Sequence, residues 1–135
     1  MATTGSNGAR NAQLIKQLRA ARTFWHELDD PPRRALQLRR PSEDQLVGWQ
    51  DLFTADIKTV GRLRQAAREI VVGWRGFTEA DVLGPTVGSD AEVEFDLDLF
   101  IEWATDDLML LAELSNGAVR AFLDYKDKKA AAAKN

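Results

Sequence analysis

The chain has 135 residues, a formal net charge of -3, one histidine and no cysteine. That length fits one domain with one core, and the lack of cysteine excludes disulfides, thiolate nucleophiles and cysteine-held zinc or iron–sulfur centres. The net charge hides a polarity, with +5 over residues 1–41, zero over 42–75, -11 over 76–125 and +3 over 126–135. The acidic stretch has Arg120 as its one cation, so it repels nucleic acid and anionic lipid and favours a basic protein or the chain's own basic arm; the plainer reading is a solvated face that aids solubility.

No apolar run approaches the roughly 20 residues that span a bilayer. The opening MATTGSNGAR lacks the apolar segment of a signal peptide, so a soluble, reducing, cytoplasmic setting is expected. Residues 1–8 are small and polar and are expected to be mobile. Leu14, Ile15, Leu18 and Ala21 recur at helical spacing with Lys16, Arg19 and Arg22 off the stripe, which predicts a short basic helix from Ala9 to about Arg22 that docks weakly or waits for a partner.

TFWHEL and ALQLRRP flank DDPPRR, a pattern of alternating apolar and polar residues about an Asp/Pro turn that predicts a β-hairpin. In that frame Trp25, Leu36 and Leu38 face inward, Arg39 and Arg40 lie near the edge, and His26 faces away from Trp25 as an ordinary surface histidine. Arg33, Arg34, Arg39 and Arg40 beside Phe24 and Trp25 have the residue types of a nucleic-acid surface. No recognised nucleic-acid motif accompanies them, and nucleic acid is not expected as a partner.

Ser42 and Gln45 have the spacing of a capping box, which starts a helix carrying Leu46, Trp49, Leu52 and Phe53, with Thr54 as a second N-cap. Ile57, Val60, Leu63, Ala67, Ile70 and Trp74 continue the helical spacing up to Gly73 and Gly76. Residues 73–90 hold four glycines and a proline and read as a loop. They match no phosphate-binding pattern and are flanked by acids.

Asp90, Glu92, Glu94, Asp96 and Asp98 alternate with apolar residues. A calcium loop starting at Asp90 would place Phe95 where glycine is needed and Ile101 where a bidentate Glu belongs, so a short extended piece over Glu92 to Phe95 is expected instead, with Asp96 or Asp98 capping the next helix. Three helices complete the chain: one with Leu99, Phe100 and Trp103; one capped by Asp106 or Asp107; and one starting at Ser115 or Asn116 that runs into a Lys/Ala tail. The fold class is mainly α with a small N-terminal β-hairpin, α+β, divided into a basic arm (1–22), a hairpin plus helical domain (23–125) and a tail (126–135). With no nucleophile–base pair, metal cluster or cofactor loop in the sequence, the chain reads as a non-enzyme without catalytic, metal or cofactor residues.

Arg39-Arg40-Pro41, Val71-Val72-Gly73-Trp74, Gly84, Glu94-Phe95-Asp96 and the last helix around Ala118 to Phe122 follow one another in an order and spacing that resembles the tail assembly chaperones of long-tailed bacteriophages, over roughly residues 24–135. The resemblance implies a protein of the host cytoplasm that binds the tape-measure protein, keeps it soluble and helps tail-tube subunits polymerise around it. It also implies, for many members, a longer frameshifted product; Lys134-Asn135 is what a slippery A AAA AAC heptamer encodes. Of Trp25, Trp49, Trp74 and Trp103, at least three are expected in the core and one at an interface. The candidate partner-binding residues are Trp25, Arg39, Arg40, Trp49, Trp74, Phe95 and Trp103; a homo-oligomer is left open. The alternative is a small phage-encoded regulator that binds and inhibits a host protein.

Overall fold

The computed structural model describes residues 2–49 and 59–134. The expected second half of the first middle helix, with Leu52, Phe53, Thr54 and Ile57, lies outside them. The chain is mostly helical with a three-stranded antiparallel sheet, an α+β fold. In order the elements are α1 (Ala2–Ala21), β1 (Thr23–Glu27), β2 (Ala35–Arg39), α2 (Glu43–Gly48), α3 (Thr59–Ile70), β3 (Val71–Arg75), α4 (Glu79–Leu83), α5 (Leu97–Ala104) and α6 (Leu108–Lys134).

The hairpin forms where the Asp/Pro segment places it. Asp29 accepts from both the backbone N–H and the guanidinium Nε of Arg34, each at 3.0 Å, and so closes the turn. Its faces are the reverse of the expectation for Trp25. Phe24 stands opposite Leu38 and His26 opposite Leu36, while Trp25 stands opposite Gln37. Residues directly opposite in an antiparallel pair share a face, so Leu36 and Leu38, fully buried, bring Phe24 and His26 inward and turn Trp25 outward, 42% exposed. A shift of one residue in the strand's phase exchanges every side chain between faces, and the burial of Leu36 and Leu38 selects the phase that puts the large indole outside.

The helix expected to run on to Trp74 ends at Ile70, and the chain turns directly into β3, which pairs with β2. Val71, Val72 and Trp74 are β-branched or aromatic and suit a sheet, and Trp74 stands opposite Leu36 on the inner face. Residues 73–90 are therefore not one loop: they hold the end of β3 and the short α4. Thr78 and Asp81 close a capping box at the start of α4. Gly76 joins the two with φ +77°, and a Cβ there would lie 2.0 Å from the carbonyl oxygen of Arg33. Gly76→Ala is expected to destabilise the fold by at least the 1–3 kcal/mol typical of a strained backbone position, because the obstacle is main chain that cannot swing aside; urea unfolding measures it.

Ser42 and Gln45 form the expected capping box on α2, and Asp96 accepts from the Leu99 N–H at the start of α5. Asp107 does the same for Leu110 in α6. The expected break at Ser115 does not occur, since α6 is continuous over Leu108–Lys134. Ser115 is buried and donates to the Leu111 carbonyl at 3.1 Å, so its hydroxyl is satisfied within the helix. The unbroken stripe Leu111, Leu114, Ala118 and Phe122 is what holds the turn in place, because packing outweighs local propensity. At the other end, α1 starts at Ala2 rather than Ala9, and every residue from Asn7 to Ala21 is exposed.

The core lies between the inner face of the sheet and α3, α5 and α6, with Leu36, Leu38, Ile70, Phe100, Leu111 and Leu114 at its centre. Its aromatic part is ordered by ring geometry: Phe77 stacks on Trp74 at 4.2 Å, Trp103 meets Phe77 edge-on at 5.2 Å, and Phe95 meets Trp74 edge-on at 5.5 Å. Offset stacks and edge contacts are the favourable arrangements for aromatic quadrupoles.

Candidate functional site

Where α1 hands over to β1, a groove of about 710 Å³ opens against the second half of α6. Phe24 and Ala121 give it an apolar floor, and Ala121, Tyr125 and Lys128 come from one face of α6, where residues three and four apart are neighbours. The rim is basic: Arg22, Arg40, Lys128 and Lys129 line it, with Asp124 as the one acid. Arg40 lies 3.6 Å above the Tyr125 ring, and the Lys129 ammonium sits 5.8 Å from the same ring. Stacking of this kind fixes a guanidinium while leaving its donors to face outward. On the opposite side of α6, Lys126 pairs with Glu43; that hydrogen bond holds the Glu43 carboxyl below its usual range and ties the tail helix to α2.

The sequence-derived candidates do not share one surface. Trp25 is exposed on the outer face of the sheet with Arg75 stacked over it at 4.3 Å, and Arg75 is itself paired with Glu27 at 2.6 Å. Trp49 is buried and donates its Nε1–H to Glu69 at 2.8 Å. Trp74 is buried and donates to the Val93 carbonyl at 2.8 Å. Phe95 and Trp103 are half-buried against the core. Arg39 donates to the Glu69 carbonyl at 3.3 Å. Three tryptophans thus belong to the core and Trp25 is the exposed one. Arg40 alone among the seven lines the groove.

Arg33, Arg34, Arg39 and Arg40 are likewise dispersed. Arg33 grips Asp81 with two hydrogen bonds of 2.9 and 2.8 Å, and Arg34 is held by Asp29. The Arg33 fork, with the N–H and hydroxyl of Thr78, holds the Asp81 carboxyl far below the ordinary carboxylate value of 3.8. The sign follows from linkage: a carboxyl whose folded value is depressed contributes stability above its unfolded value and loses it as the pH falls. Asp81→Asn is therefore expected to lower the melting temperature at neutral pH and to flatten its decline below about pH 4, where the wild-type carboxylate loses that advantage. Melts from pH 7 to pH 2 on both proteins check this.

His26 reaches toward Glu113, with Nε2 at 3.6 Å from a carboxylate oxygen, longer than a hydrogen bond. Among the described residues no three histidine, aspartate or glutamate side chains are grouped to hold a metal ion, and no helix is long and apolar enough to cross a membrane. What the groove offers is non-covalent: apolar floor, cationic rim and a tyrosine hydroxyl.

Sequence reading missed Phe24, Tyr125, Lys128 and Lys129 as one surface. The available signal was the single tyrosine of the chain set among lysines in a helix end, an amphipathic side chain where a fraying tail has no use for one. The Thr78–Asp81 box was also legible, as Thr-Glu-Ala-Asp. No protein-family model, curated protein or solved structure matched this chain.

Proposed function

We propose that this chain is a tail assembly chaperone of a long-tailed bacteriophage, which binds the tape-measure protein in the host cytoplasm, keeps it soluble and promotes assembly of the tail tube without catalysing a reaction. The groove beside Phe24 and Tyr125 carries the reading. An apolar floor with a rim of four cations and one acid suits an amphipathic helix with an acidic flank, taken by helix-in-groove packing, and a long helical tape-measure protein exposes many such faces before the tube covers them. The cationic rim steers and orients, while the aromatic floor supplies the affinity.

The same surface also suits an acidic host protein, as a small phage-encoded regulator would require. Affinity capture with the tagged full chain from infected cells separates the two. Recovery of the tape-measure or tail-tube protein supports the chaperone reading; recovery of a host regulator or defence factor in their place refutes it.

A further inference from the structure

Two other surfaces of the molecule match each other. The first is α1, a helix of 20 residues and so about 30 Å long. Leu14, Ile15 and Leu18 are 42, 49 and 58% exposed on it, flanked by Arg10, Lys16 and Arg19, and residues 2–21 contain no acid. The second is a groove at the start of α6, with Leu28, Trp103, Met109 and Leu110 in its lining and Asp107 and Glu113 beside them. Met109 is 81% exposed and Leu108 next to it 47%. Asp106 and Glu102 are further acids in the same stretch of sequence, and residues 98–113 contain no base; His26 approaches Glu113 from β1 at 3.6 Å. Arg34, which also lines the groove, has its guanidinium taken by Asp29.

We infer that α1 of one copy of this chain seats in the Met109–Glu113 groove of the next. Its apolar stripe covers Met109 and Trp103, and its basic flank lies against Asp106, Asp107 and Glu113. A helix of this length whose residues from Asn7 to Ala21 are all exposed is marginal in water, and the first half of α1 contains Thr3, Thr4, Gly5, Ser6 and Gly8, all weak helix formers, so an occupied groove gives it a reason to persist.

Charge selects this pairing over the simpler one. Two α1 helices side by side would set three cations against three with no acid between them, whereas α1 against the groove sets cations against carboxylates. The arm does not lie in its own groove: no residue of α1 is in the lining, and Leu14, Ile15 and Leu18 on the one surface and Met109 on the other are exposed. Its foot is fixed by Thr23 donating to the Ala20 carbonyl at 2.7 Å and by Arg40 N–H donating to the Arg22 carbonyl at 2.9 Å.

An arm-to-groove contact is heterologous, so each copy keeps one free arm or groove until a ring closes, and the assembly grows with concentration. It shares with the client groove only the foot of α1 and stands whether or not the client is a tape-measure protein.

Sedimentation of the full chain tests it with two variants. One, Leu14→Asp with Leu18→Asp, spoils the arm; the other, Met109→Asp with Glu113→Lys, spoils the groove at exposed positions. The wild type is expected to exceed the 15.1 kDa monomer mass at low salt and to dissociate as salt rises. Each variant alone is expected to run at the monomer mass, and their equimolar mixture at twice that mass, because the groove of one accepts the arm of the other. A wild type that stays monomeric at every concentration, an arm variant that still self-associates, or a mixture that shows no complementation would overturn the inference. Hydrogen exchange on the wild type decides the matter should a variant misfold: protection over residues 10–21 and 103–113 rises together with concentration if the arm exchanges, and protection that does not change with concentration contradicts it.

Discussion

Phe77→Ala is expected to destabilise the fold by about 3–5 kcal/mol, the range for removing a fully buried phenylalanine from a core that cannot collapse around the gap. Phe77 is fully buried and is the ring against which the others are arranged: Trp74 is stacked on it at 4.2 Å, Trp103 meets it at 5.2 Å, and the Arg34 guanidinium lies 5.4 Å from its centre. Its backbone carbonyl also accepts from the Val93 N–H at 2.9 Å, which pins the extended acidic segment to the end of β3. The substitution therefore loosens the sheet, the segment leading into α5 and the hairpin turn together. Chemical unfolding followed by tryptophan fluorescence measures the loss. A cost below about 1 kcal/mol would show that this aromatic group does not hold the layers.

The second large effect concerns binding. If the proposed function holds, Arg40→Glu combined with Tyr125→Ala is expected to weaken tape-measure binding by about 10- to 100-fold, the loss typical of removing a central aromatic and arginine anchor, and to leave the melting temperature nearly unchanged. Arg40 and Tyr125 contact each other across the groove at 3.6 Å, and Tyr125 is exposed. Trp25→Ala is the informative control. Trp25 was the natural anchor on composition alone, yet it lies on the outer face of the sheet under Arg75, and its removal is expected to change client affinity by less than about threefold.

Chemistry that is complete within a few residues was legible in the sequence. The Ser42–Gln45 box, the Asp96 and Asp107 caps and the Asp/Pro turn each satisfy backbone groups within their own segment. What required a distant partner was not. The phase of β1 is set by which residues of β2 are buried, and those in turn by α3, α5 and α6, so the sequence of β1 alone did not decide between Phe24 and Trp25. β3 was hidden because Ile70 and Trp74 are four apart, a spacing that fits a helix face as well as the alternation of a strand. Ser115 resembles an N-cap in isolation and is overruled by the buried stripe on either side of it. The groove joins Phe24 and Arg40 to residues of α6 about a hundred positions further on, and of these Arg40 alone stands out in the sequence as a candidate for binding.

The chaperone reading makes the groove, rather than any buried tryptophan, the point of contact with the client. Co-expression of the full chain with the tape-measure protein of the same phage, scored as the soluble fraction of the latter, tests that most directly. The account predicts that wild type and Trp25→Ala keep the tape-measure protein in solution while Arg40→Glu with Tyr125→Ala leaves it in the pellet. A tape-measure protein that is equally soluble with all three, or equally insoluble with all three, would contradict it.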